Sequence, residues 1–227
     1  SFAGAYFKIV NDITLPAGWS PIGTTDCAFS GSIDGKIDDN RNATITVPAG
    51  GLPLLGYIKD AYVKNLNIYG EQIEGAGLVN NYTGVGLSGN AITIENVRLK
   101  SGSKTLKSGL VAAGAGNGYA SASAGFVVTI RNCTIEEDVV VGYKGNESQI
   151  GSIAGRINGT IESCTSAATV KGASYVGGIL GTRDNAMSQC VVKNCTFSGS
   201  VEASGSYAGG IVGGGYDNAT APNGASP

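Results

Sequence analysis

Apolar residues along this chain come in short runs that alternate with polar ones and break at Gly, Asn or Ser, and the runs recur at a near-constant interval. Five of them align: Val63-Lys64-Asn65-Leu66-Asn67-Ile68, Ile94-Glu95-Asn96-Val97-Arg98-Leu99, Ile130-Arg131-Asn132-Cys133-Thr134-Ile135, Ile161-Glu162-Ser163-Cys164-Thr165-Ser166 and Val192-Lys193-Asn194-Cys195-Thr196-Phe197. Alternation with period two marks a strand with one buried face, and the central Asn or Ser marks a corner. The fourth residues, at 66, 97, 133, 164 and 195, advance by 31, 36, 31 and 31 positions. Such an interval predicts stacked coils, with a loop accommodated in the longer step.

About half a repeat later a Gly-rich signature follows: Gly77-Leu78-Val79, Gly109-Leu110-Val111, Gly151-Ser152-Ile153-Ala154-Gly155, Gly177-Gly178-Ile179-Leu180-Gly181 and Gly209-Gly210-Ile211-Val212-Gly213. Gly at a fixed place in a strand repeat points to positive φ or close backbone approach, here assigned to Gly178 and Gly210. Helical solenoids need amphipathic stretches of period 3.6, which are absent. The pattern therefore predicts an all-β, right-handed, single-stranded parallel β-helix of about 31 residues per main repeat. One domain is expected over 1–220, with irregular coils over 1–60, regular repeats over 61–216 and a linker-like tail at 221–227.

Stacking assigns structural work to the repeated residues. Leu66, Val97, Cys133, Cys164 and Cys195 are expected to form one inward column, in which free Cys acts as a small hydrophobe. Asn65, Asn96, Asn132 and Asn194, with Ser163 substituting once, are expected at one corner, able to hydrogen-bond to neighbouring coils.

These segments resemble the GLUG-motif repeats of bacterial secreted and cell-surface proteins, best at Gly178-Ile179-Leu180-Gly181 and Gly210-Ile211-Val212-Gly213. The stretch Trp19-Ser20-Pro21-Ile22-Gly23, followed by Phe29-Ser30-Gly31-Ser32-Ile33-Asp34-Gly35, is similar to the entry of such domains. The resemblance implies an extracellular location and a role as stalk or binding module, with further domains in the parent chain. Asn80 and Ala112 stand where the later coils have Gly155 and Gly181, so the early coils are expected to be less regular.

Composition narrows the function. The 227 residues include 37 Gly, only 14% are charged, and the net charge is −2, which offers no basic field for a phosphate backbone and argues against nucleic-acid binding. No apolar run reaches the roughly 18 residues of a membrane span. Five cysteines and no His give neither a complete disulfide framework nor a metal site, so thiols are expected and no cofactor is implied. Cys27 stands outside the column and reads as a buried structural thiol; Cys190 has no assigned face.

Candidate chemistry is sparse. Asp34, Asp38 and Asp39, or Glu136, Glu137 and Asp138, could supply the paired carboxylates of a glycosidase, but they read better as turn residues. Arg156, Lys171 and Arg183 are too scattered for a lyase site. Tyr175 and Tyr207, at equivalent places before Gly-rich strands, and Tyr119 and Tyr143, in expected loops, are weak candidates for stacking on sugar rings. The leading reading is a non-enzymatic extracellular module that acts as an adhesin-like scaffold or binds host or dietary glycans or a host surface protein. The alternatives are a carbohydrate-active enzyme on the same fold and a pure stalk.

Overall fold

A computed structural model describes residues 3–82, 92–113, 128–183 and 190–215. The described residues contain strands and no helix, and every ladder between named strands is parallel. The first sheet takes Tyr6–Lys8, Ser32–Asp34, Tyr62–Tyr69, Ile92–Leu99, Val128–Arg131, Gly159–Glu162 and Cys190–Lys193 in that order. Beyond a corner it continues through Ala43–Thr46, Thr134–Ile135, Thr165–Ser166 and Thr196–Phe197. A second sheet joins Lys104–Thr105, Val140–Val141, Thr169–Gly172 and Ser200–Ala203; a third joins Ile150–Gly151, Val176–Gly177 and Ala208–Gly209. The fourth runs from Leu55–Ile58 through Val79–Tyr82, Val111–Ala113, Ala154–Ile157 and Leu180–Arg183 to Val212–Gly214. Later coils visit the four sheets in the same order and return in register, Ile130 to Ile161 to Val192, which is the topology of a parallel β-helix.

Period-two alternation sends one set of side chains inward. Val63, Ile94, Ile130 and Ile161 are fully buried, as are Leu66, Val97, Cys133 and Cys164 to within 1%. Cys195, on the last described coil, is half-buried and packs against this core. Each of the three thiols points at the carbonyl two residues before it, at 3.2 to 3.3 Å. All five cysteines are free. Cys27 departs from the buried thiol expected of it: Thr24 and Cys27 close a local turn outside the repeat, and the side chain is exposed.

The corner has one backbone conformation. Asn65, Asn96, Asn132, Ser163 and Asn194 all adopt φ between 51° and 57°. Asn tolerates this left-handed region better than most side chains, which accounts for its recurrence. Side-chain bonding along the corner is local: Asn96 Nδ2 donates to Asn65 Oδ1 and Asn65 Nδ2 to Asp34 Oδ1, each at 2.8 Å. Asn132 and Asn194 are exposed, and among the described residues no such bond continues the ladder to them.

Gly works here mainly by close approach. Neither Gly178 nor Gly210 has positive φ. A Cβ on Gly178 would stand 2.0 Å from the Gly210 carbonyl oxygen, whereas one on Gly210 meets nothing within 4 Å, because no described coil lies above it. Gly210 thus lacks the backbone contact the repeat suggests. Comparable contacts lie between the third and fourth sheets. A Cβ on Gly177 would come within 2.0 Å of Leu180 O and 2.5 Å of Gly213 N, and one on Gly181 within 2.6 Å of Gly155 O.

Charge is ordered on the outer face of the first sheet. Lys8, Asp34, Lys64, Glu95, Arg131, Glu162 and Lys193 occupy one column in successive coils, alternating in sign at every step. They close as couples: Lys64 with Asp34 at 3.5 Å, Arg131 with Glu95 at 3.0 Å and Lys193 with Glu162 at 2.9 Å. Exposed pairs contribute roughly 0–1 kcal/mol each. Their larger effect is on register, since a one-residue slip would part each couple and turn the charged residues toward the core.

Candidate ligand-binding groove

Past the corner, alternation turns a second set of side chains outward. One column holds Thr44, Asn67, Arg98, Thr134, Thr165 and Thr196 in register, coil upon coil. Two depressions lie along it. The first, of about 400 Å³, is lined by the cations Arg41, Arg98 and Lys100, by Asp39, and by the amides of Asn40, Asn42, Asn67 and Asn96. The second, of about 550 Å³, is lined by the hydroxyls of Thr134, Thr165, Thr196, Ser166 and Ser198, by Ile135 and Ala167, and by Ser101 with the two carboxylates Glu136 and Glu137.

Local bonds set the groove's electrostatics. Arg98 pairs with Glu136 at 2.8 Å at the junction of the two depressions, and the Ser101 N–H donates to the same carboxylate at 2.9 Å. Burial pushes the Glu136 carboxyl up, but Arg98, the Ser101 N–H and the charge of Lys100 outweigh it and hold the group below its ordinary range. Arg41 pairs with Asp12 at 2.8 Å, and both are more than half exposed. Thr165 and Thr134 hydroxyls approach to 3.4 Å, so the far half is a hydroxyl ladder. Cations and amides at one end, and hydroxyls with the Glu136 and Glu137 carboxylates at the other, can bind polar ligands.

The candidate carboxylates are engaged in turns and ion pairs. Asp34 Oδ1 accepts the Lys36 N–H at 2.9 Å, Asp38 Oδ1 accepts the Asn40 N–H at 2.8 Å, and Asp39 pairs with Lys36 at 2.8 Å. Glu137 and Asp138 are exposed. Lys171 pairs with Glu202 at 3.0 Å. Among the described residues no cluster of His, Cys, Asp or Glu could hold a metal ion. The Cys190 thiol, half-buried on its strand, is pushed up to about 11 by burial, and contact with Cys133 together with burial raises Cys164, so neither forms a ready nucleophile.

The tyrosines divide. Tyr175 and Tyr207 stack on each other, centroids 4.7 Å apart and planes 14° from parallel, both with left-handed φ. Tyr143 receives a bond from Gln72 at 3.1 Å and donates to Glu74, while Lys144 reaches both the Tyr143 ring and Glu74. Tyr119 lies outside the described residues. The groove instead has Tyr69 beside it, two residues after Asn67 on the same outward face. Asn67, Arg98 and Thr134 are the fifth residues of the aligned segments, so the alignment itself carried the signal for this face.

Residues 172–202, from the end of Thr169–Gly172 to Glu202, match the family described as the GLUG motif. The chain carries a GLUG motif. Its described residues include the Gly177 and Gly181 contacts and the corner at Asn194. The chain is also similar to halomucin of Haloquadratum walsbyi, 31% identical over 156 residues, which is 58% of this chain. The chain spans about 2% of that relative's length. No solved structure matches it significantly.

Proposed function

We propose that the chain is an extracellular, non-catalytic β-helical module, a scaffold that presents one outer face to a ligand. The observation that supports this most is where its reactive side chains go. The charged residues of the first sheet pair between coils, Asp34 and Asp38 serve turns, Asp39 and Glu136 sit in ion pairs, and the buried thiols pack the core. The GLUG motif supports the location, through the secreted and surface proteins that such repeats resemble. Host or dietary glycans, or a host surface protein, are the partners this reading expects.

The test is to incubate the chain with pectins, mucin glycans and uronic-acid polymers, with and without calcium, and to follow reducing ends and unsaturated products. Neither is expected. Product release abolished by Asp34→Ala, Asp38→Ala or Asp39→Ala in a folded chain would replace the scaffold with an enzyme; release that survived those changes would do the same and place the site elsewhere.

A further inference from the structure

The two depressions behind the Asn corner belong to one face, and their chemistry is graded along it. We propose that this face binds an extended acidic glycan, bearing carboxylates or sulfate esters, laid along the stack with its charged groups over Arg41, Arg98 and Lys100. The inference deepens the binding role proposed above and rests on that reading.

Three features carry it. First, the groove's functions repeat from coil to coil, about 4.8 Å apart. A polymer of similar step can meet one polar side chain of the column at each sugar, from Asn67 through Arg98 to Thr134, Thr165 and Thr196. Second, the cations are available. Arg41 and Arg98 are 55% and 53% exposed in pairs of the kind that are worth little, so a ligand anion can share them. Lys100 lies near enough to Asp12 and Glu136 to favour the charged form of each, yet makes ion-pair contact with neither. Third, amides and hydroxyls both donate and accept, as sugar hydroxyls require. Tyr69, in line with Lys100 on the next coil, adds an apolar ring with a polar tip. An acidic peptide fits less well, because extended peptides are held by open strand edges and this is a sheet face.

Calorimetric titration of the full chain with polygalacturonate, dextran sulfate, methyl-esterified polygalacturonate and poly-L-glutamate tests the proposal. Saturable binding of one or both acidic polysaccharides is expected, at least tenfold tighter than the ester or the polypeptide; which one binds tells carboxylate from sulfate. The double variant Arg98→Gln/Lys100→Gln should weaken that binding at least tenfold with an unchanged melting temperature. If that variant unfolds, Thr165→Val/Thr196→Val supplies the same test, with affinity lost for long polymers and kept for short oligomers. No saturable binding of either polysaccharide, equal binding of poly-L-glutamate, or undiminished binding by the folded variants would overturn the proposal. Shortening of the bound polymer would overturn the non-catalytic reading and leave the groove standing.

Discussion

The coils holding Val79 and Val111 and those holding Ala154, Leu180 and Val212 share one sheet yet fill the space beside it differently. In the later coils Gly155, Gly181 and Gly213 follow the first strand residue, and the third sheet packs backbone against backbone. In the earlier coils the same position holds Asn80 and Ala112, and no third-sheet strand forms among the described residues. Polar side chains take over: Asn80 Oδ1 accepts the Ala76 N–H, and the fully buried Ser108 hydroxyl accepts the Gly151 N–H, both at 3.3 Å. A main-chain group that loses its strand partner must find another, and these side chains provide it. Regularity in the solenoid is thus a matter of who satisfies the backbone, and Gly decides when the backbone can satisfy itself.

The strongest way to break this contrast is to fill the glycine contact. Gly177→Val should cost at least about 3 kcal/mol, since the atoms it meets are main chain and cannot rotate away. Gly210→Val, in open space, should stay within about 0.5 kcal/mol. Chemical denaturation of both variants measures the difference, and equal midpoints would show that close approach is not what the later coils require.

Ser108→Ala probes the earlier solution. It removes the acceptor of a buried N–H and should cost about 2 kcal/mol. Hydrogen exchange at the Gly151 amide should accelerate in the same variant, while the Gly177 amide in the coil above stays protected.

Acid sharpens the comparison at the amino-terminal end. Burial pushes the Asp34 carboxyl up, but bonds from Asn65, the Lys36 N–H and Tyr6, with the charge of Lys64, hold it below its ordinary 3.8. A depressed carboxyl adds stability above its unfolded pKa and loses it as pH falls through the folded value. Melting temperature should therefore drop below about pH 4, and Asp34→Asn, which carries no such charge, should flatten part of the drop. An identical pH profile in the variant would show that Asp34 does not link acid to folding.

The smallest effect is expected at the charge column, which crosses both regions alike. Lys193→Glu replaces the couple with Glu162 by a like-charge contact and should cost about 1 kcal/mol, less in high salt. Melts at two ionic strengths report it; a salt-independent loss would mean that packing, not charge, is at stake.

Much of this could be read along the chain. The interval of 31 residues carried the register that Ile130, Ile161 and Val192 adopt, because in a parallel stack equal spacing is equal height. The charge column was present too, as the second residues of the aligned segments, Lys64, Glu95, Arg131, Glu162 and Lys193, and its meaning required only that they be read downward. Other features were out of reach. Gly178 and Gly210 stand at the same point of the repeat, and only the presence of a coil above separates them. Cys27 lies in a turn that no repeat predicts. The alignment puts Arg98 and Thr134 at one height across the 36-residue step, but not the Arg98–Glu136 pair that joins the two depressions.

The alternating column also bears on how such a chain can lengthen or shorten. Removing one coil between Lys64 and Arg131 would bring two cations together, and the same holds for any single coil lost or copied within the column. Removing two restores the alternation. The column therefore has parity: its repeating unit is a pair of coils, one acidic and one basic, so duplicating two coils keeps every couple while duplicating one sets like charges together at a cost of about 1 kcal/mol.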